Sequence, residues 1–136
     1  MTIRLFSSAA CCLLLVACHA NAPDVAGHYV GTLQTGGGSA KVVVDLNDVD
    51  GALSGTASGS GLTFQALPYY VTGSRQDGSV ALVISASYDT GLEALARVGV
   101  CRYSLVGTVE SKSIHGSFST DQCNDTAAGT FTVERS

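Results

Sequence analysis

The stretch CRYSLVGTVE (101–110), followed by SK (111–112) and SIHGSFST (113–120), decides the fold. Apolar and polar residues alternate along both arms, the period-two signature of strands with one buried face. Setting Glu110 against Ser113 across Ser111 and Lys112 fixes every other partner. Val109 then meets Ile114, Leu105 meets Phe118 and Tyr103 meets Thr120, all six on one face. A slip of one residue would turn that set into water, so the pattern itself specifies the register. The same register sets Cys101 opposite Gln122, one residue from Cys123, and a bulge or the start of a loop there brings the two thiols together.

Working outward, the alternation continues through most of the chain, broken by glycine-rich turns. Residues 27–34 place Tyr29, Gly31 and Leu33 on one face, and 39–47 place Val42, Val44 and Leu46 inward with Lys41, Val43 and Asp45 outward. Residues 52–58 carry Leu53 and Gly55 inward and lead into a loop at Ser58-Gly59-Ser60-Gly61. A strand over 62–75 follows, interrupted by Pro68, which cannot donate to a ladder and marks an edge or bulge. Residues 79–87 are the most apolar strand, with Val80, Leu82, Ile84 and Ala86 inward, and 129–135 close the chain with Phe131 and Val133 inward. The period fails only at Thr90-Gly91-Leu92-Glu93, a capping-box pattern that predicts one short helix near 91–98. The expected fold is mainly β: a single antiparallel meander barrel of about eight strands, with a β-sandwich as the alternative.

The N-terminus sets the compartment. One basic residue, Arg4, precedes an uncharged run from Leu5 to Val16, which is too short to span a bilayer and has the anatomy of a secretory signal. Leu15-Val16-Ala17-Cys18 resembles the lipobox of bacterial lipoproteins. The resemblance implies that residues 1–17 are a lipoprotein signal peptide and that Cys18 becomes the first mature residue. Its thiol would carry diacylglycerol and its amino group an acyl chain such as palmitate. Residues 18–26 would form a lipidated tether and 27–136 the barrel domain. His19, in place of an aspartate, implies the outer membrane of the cell envelope, facing the periplasm or the surface. Ala20-Asn21-Ala22 offers ordinary secretory cleavage as the alternative.

Removing residues 1–17 from the 136 leaves enough chain for one domain with a real core. Cys11 and Cys12 leave with the signal and Cys18 goes to lipid, so Cys101 and Cys123 remain as an even pair in an oxidising compartment, which reads as a disulfide. Eleven acidic residues outweigh seven basic ones, with no Lys/Arg run, so nucleic acid is not an expected partner.

One local form recurs: Tyr29-Val30-Gly31-Thr32, Leu53-Ser54-Gly55-Thr56, Val71-Thr72-Gly73-Ser74, Leu105-Val106-Gly107-Thr108 and Ile114-His115-Gly116-Ser117, with Gly129-Thr130 a trimmed copy. Each sets an inward apolar residue two positions before an inward glycine, as a tightly closed barrel or an internal cavity requires. The body resembles avidin-type and lipocalin-like meander barrels. Asp50-Gly51-Ala52-Leu53-Ser54-Gly55-Thr56 is similar to the second hairpin of the streptavidin family, and Gly27-His28-Tyr29 stands where such barrels often begin with glycine-x-tryptophan. Biotin binding in that family relies on tryptophan walls. This chain has no tryptophan, so it is not expected to bind biotin and no ligand residue carries over.

No catalytic constellation emerges. The acidic turn Asp45, Asn47, Asp48 and Asp50 fails the calcium-loop spacing, because Leu46 and Ala57 fall at the first and last ligand positions. Gly36-Gly37-Gly38-Ser39-Ala40-Lys41 lacks P-loop order, no glycine-x-serine-x-glycine elbow is present, and His28 and His115 face solvent. The sequence therefore predicts no enzyme, no cofactor and no metal. Tyr69 and Tyr70 beside Pro68, with Tyr88, form a candidate aromatic interface. The expected role is a membrane-anchored lipoprotein with a non-catalytic binding or envelope-interaction function, its partner a protein. A barrel for a small apolar ligand, or a periplasmic inhibitor of a lysozyme or protease, is the alternative.

Overall fold

The computed structural model describes residues 24–86 and 100–136. Eight strands follow the alternation: β1 (Gly27–Thr35), β2 (Gly38–Val49), β3 (Ala52–Gly61), β4 (Tyr69–Gln76), β5 (Ser79–Ser85), β6 (Arg102–Glu110), β7 (Ser113–Asp121) and β8 (Ala128–Arg135). Each pairs antiparallel with the next, and β8 pairs with β1, so the sheet closes into a barrel and the sandwich alternative is excluded. The β6–β7 register is the one the alternation dictates, with Val109 on Ile114, Leu105 on Phe118 and Tyr103 on Thr120. The disulfide Cys101–Cys123 forms just beyond it, across 4.7 Å between Cα atoms.

The strand bounds differ most from the sequence reading around the β3–β4 connection. Ser58-Gly59-Ser60-Gly61 is the end of β3, paired with β2 through Gly61 and Ala40, and the loop begins only at Leu62. Residues 62–68 are accordingly not strand. Pro68 stands immediately before β4, where its missing N–H costs no ladder bond. The helix expected near 91–98 lies outside the described residues, as do Cys18 and Tyr88.

Inward residues of every strand meet in one core, in which Tyr29, Leu33, Tyr69, Val71, Ile84, Tyr103 and Ile114 are almost wholly buried. The outer face is polar: Gln34, Lys41, Asp45, Ser54, Thr56, Thr72 and Ser74 all stand exposed. Val30, Val49 and Val106 are the large apolar exceptions on that face among the described residues, and they do not make up the apolar outer band of a bilayer-spanning barrel. The recurring inward glycines reflect closure. A side chain at Gly31 would lie 2.0 Å from the Thr132 carbonyl oxygen of β8, and one at Gly107 would collide with the Phe131 ring at 2.7 Å.

The meander sorts its connections between two ends. At one end lie the two-residue turns 50–51, 77–78 and 111–112 together with both termini of the barrel; at the other lie the turn 36–37 and the longer connections 62–68, 86–101 and 122–127. We call these the closed end and the loop end.

Candidate functional site at the loop end

The closed end is sealed by charge pairs over a hydrophobic plug. Asp48, Arg75 and Arg135 continue the inward phase of β2, β4 and β8, so all three point toward the bore where those strands reach this end. The Asp48 carboxylate, 2% exposed, accepts from Arg75 Nε at 2.7 Å, from the Val25 amide at 3.1 Å and from the Gly51 amide at 2.8 Å. The Arg75 hydrogen bond is the main reason its carboxyl is held at about 2, with the two amides adding to it against the opposing effect of burial. Beside it, Val25 is fully buried, and the Tyr29 hydroxyl donates to the Val25 carbonyl at 2.8 Å while accepting from Arg135. The Arg135 guanidinium also lies over the Tyr29 ring, 5.4 Å from its centre. The buried polar groups described at this end are spent on each other. The acidic stretch Asp45–Asp50 therefore serves as a structural clasp through Asp48.

The loop end is built from aromatic rings. Tyr69 at the start of β4 and Tyr103 near the start of β6 point into the bore, and the β3–β4 loop folds Phe64 in between them. Phe64 stacks on Tyr103 with ring centres 4.2 Å apart and planes within 8°, and meets Tyr69 edge-on at 5.2 Å. Phe118 tilts toward Tyr103 from below at 6.3 Å. The phenol groups are held by the same loop, since Thr63 Oγ1 is bonded to the Tyr103 hydroxyl and the Gln65 amide donates to the Tyr69 hydroxyl at 3.0 Å. Burial pushes the Tyr103 phenol up to about 12, so it stays a neutral donor and acceptor.

Over this cluster lies an open cleft of about 310 Å³, lined by Leu62, Thr63, Phe64 and Gln65 on one side and by Cys101, Cys123, Asn124 and Asp125 on the other. The disulfide is part of its lining and ties β6 to the β7–β8 loop. The cleft's lining is mixed, with Leu62, Phe64 and the disulfide as its apolar part and Thr63, Gln65, Asn124 and Asp125 as its hydrogen-bonding part, above rings that are themselves buried. Among the described residues it contains no nucleophile paired with a base. His28 and His115 lie elsewhere, on the exposed outer face in surface pairs with Asp45 and Glu110.

The aromatic interface expected from the sequence does not survive as drawn. Tyr69 is fully buried because it shares the inward phase of Val71, while Tyr70 is half-buried on the outer face, so the two cannot form one surface patch. Phe64, Thr63 and Gly59, which shape the site, were not singled out in the sequence. The phase of Tyr69 with Val71 was a usable signal, whereas the placement of Phe64 depends on a contact between a loop and a distant strand.

No protein-family model matches the chain, and no curated protein does. Among solved structures, the complex of bradavidin2 with biotin is similar, with a TM-score of 0.57 at 16% identity over 85% of this chain and 97% of that one. At that identity the likeness concerns architecture: this chain shares its barrel fold with bradavidin2.

Proposed function

We propose that the chain is a lipid-anchored binding protein of the bacterial envelope whose barrel takes a small, largely apolar molecule through its loop end, without catalysis. The observation that carries this reading is the ring cluster of Phe64, Tyr69, Tyr103 and Phe118 beneath an open cleft, opposite an end whose inward Asp48 and Arg75 are paired with each other. The likeness to a barrel solved with biotin supports a small ligand. The absence of tryptophan argues against biotin itself, and the likeness makes it the first compound to try.

The lipobox resemblance at Leu15–Cys18 supports the anchor, on the outer membrane given His19. Asp24, Val25 and Ala26 lead into β1 at the closed end. A lipid on Cys18 would hold that end toward the membrane and turn the loop end away from it, where solutes arrive.

Two experiments test the reading. The dye 1-anilinonaphthalene-8-sulfonate should brighten on the folded protein carrying Cys18→Ser, and Asn124→Trp, which fills the cleft, should remove most of that gain. No gain on the folded protein contradicts the ligand site. For the anchor, the unaltered chain should partition into detergent and Cys18→Ser should leave it soluble; membrane retention of the variant contradicts lipidation there.

A further inference from the structure

Phe64 occupies a slot that the barrel supplies independently of it. Gly59, on the inward phase of β3, lies so close to the ring that a β-carbon there would fall 2.5 Å from Phe64 Cγ and Cδ1. Tyr103 stacks on the same ring from β6, a strand that is not a neighbour of β3 in the barrel. A bare stretch of backbone and a phenol face thus bound a space the thickness of one aromatic ring, with the Tyr69 edge closing its side.

The occupant is held lightly by comparison with its slot. Tyr69 and Tyr103 are fully buried on strands, whereas Phe64 is only partly buried on a loop. That loop keeps two backbone bonds of its own, Phe64 N to Gly61 O at 3.1 Å and Leu67 N to Gln65 O at 2.8 Å, and Leu62 adopts a left-handed φ of 49°. Among the described residues its hydrogen bonds to the bore are the two made to phenols, by Thr63 and by the Gln65 amide, while Leu67 joins Phe64 in packing against the core. Withdrawing the loop would release the flat slot and both phenol hydroxyls together.

We infer that the space between Gly59 and Tyr103 is a ring-binding subsite, that Phe64 holds it as an internal stand-in, and that its ligand is a flat aromatic ring bearing a hydroxyl or amino group. The ring replaces Phe64 on Tyr103, and the polar substituent replaces Thr63 or the Gln65 amide at a phenol hydroxyl. Phe64 competes with the ligand, so removing its side chain tightens binding. This rests on the small-ligand reading above and adds the ligand's chemical class and the loop's part in admitting it.

The probe is 2-naphthol, titrated into the purified protein carrying Cys18→Ser, with cyclohexanol as a hydroxylated but non-flat control. The wild-type loop should bind 2-naphthol weakly, with the Phe64 ring proton resonances moving as the ring leaves Tyr103. Phe64→Ala should bind it at least tenfold more tightly with no such gain for cyclohexanol, and adding Gly59→Leu should abolish that gain. Near-UV circular dichroism checks that each variant is folded. Phe64 resonances that stay fixed at millimolar 2-naphthol overturn the inference, as does a folded Phe64→Ala that binds no better. Either result beside a different small molecule retained in the native mass spectrum leaves the ligand-binding reading standing and sinks only the ring-for-Phe64 exchange.

Discussion

The two ends of this barrel use similar residues for opposite purposes. At the closed end Tyr29 has its hydroxyl bonded to Val25 and Arg135, its ring covered by a guanidinium, and Asp48 beside it clasped by Arg75 and two amides. At the loop end Tyr69 and Tyr103 are as deeply buried, yet their hydroxyls are satisfied by a loop, and the ring that covers them belongs to that loop. Polar groups satisfied by strands and termini fix a structure; polar groups satisfied by a loop can exchange that loop for a ligand. The difference follows from the meander, which places three of its four two-residue turns at one end and all three of its longer connections at the other.

The largest effect separates the two ends directly. Tyr29→Ala should destabilise the barrel by about 3–5 kcal/mol, the cost of a large aromatic truncated inside a core. Phe64→Ala should cost less than half as much, measured by chemical denaturation of both variants. Equal costs would mean that the loop end is as firmly built as the closed end, and the contrast drawn between them would fail.

Next comes the disulfide, which gives the loop end the covalent tie its loops lack. Cys101→Ser should remove about 3 kcal/mol, and reductant should bring the wild type down to the same melting temperature. Hydrogen exchange should rise first in 62–65 and 122–127, leaving the turns at 50–51 and 111–112 protected. A melting temperature unchanged under both reducing and oxidising conditions would rule out the staple.

The smallest effect belongs to pH and reports only the closed end. Because the folded Asp48 carboxyl sits at about 2, below its usual 3.8, its pairing contributes fully above pH 4 and is lost as pH falls through about 2. The shift corresponds to about 2 kcal/mol. Asp48→Asn should remove that acid-dependent share of stability, seen as a flatter profile between pH 5 and 2, while leaving dye binding at the loop end intact. An unchanged acid profile in the variant would show that other groups govern acid unfolding.

The β6–β7 hairpin was legible in the sequence down to single partners because burial of one face leaves a single register, and Val42, Val44 and Leu46 or Val80, Leu82 and Ile84 declare their face in the same way. The clasp at the closed end was half legible. Asp48, Arg75 and Arg135 occupy the inward phase of their strands, an unusual place for charge, yet nothing local says that β2 and β4 bring two of them together. The loop-end site was not legible. Ser58-Gly59-Ser60-Gly61 has loop composition but pairs as strand, because Gly59 is needed bare beneath Phe64, and Tyr69 beside Tyr70 looks like a surface pair until its phase with Val71 turns it inward. Such features depend on contacts between β3 and its loop and β6, and no periodicity within one segment encodes them.

The most direct test of the account is the native mass of the soluble protein bearing Cys18→Ser, collected from its own host under non-denaturing conditions. The account predicts extra mass of a few hundred daltons, lost when Asn124→Trp fills the cleft. A bare chain, two hydrogens light for the Cys101–Cys123 disulfide, or extra mass on the scale of a protein, would contradict a small-ligand barrel.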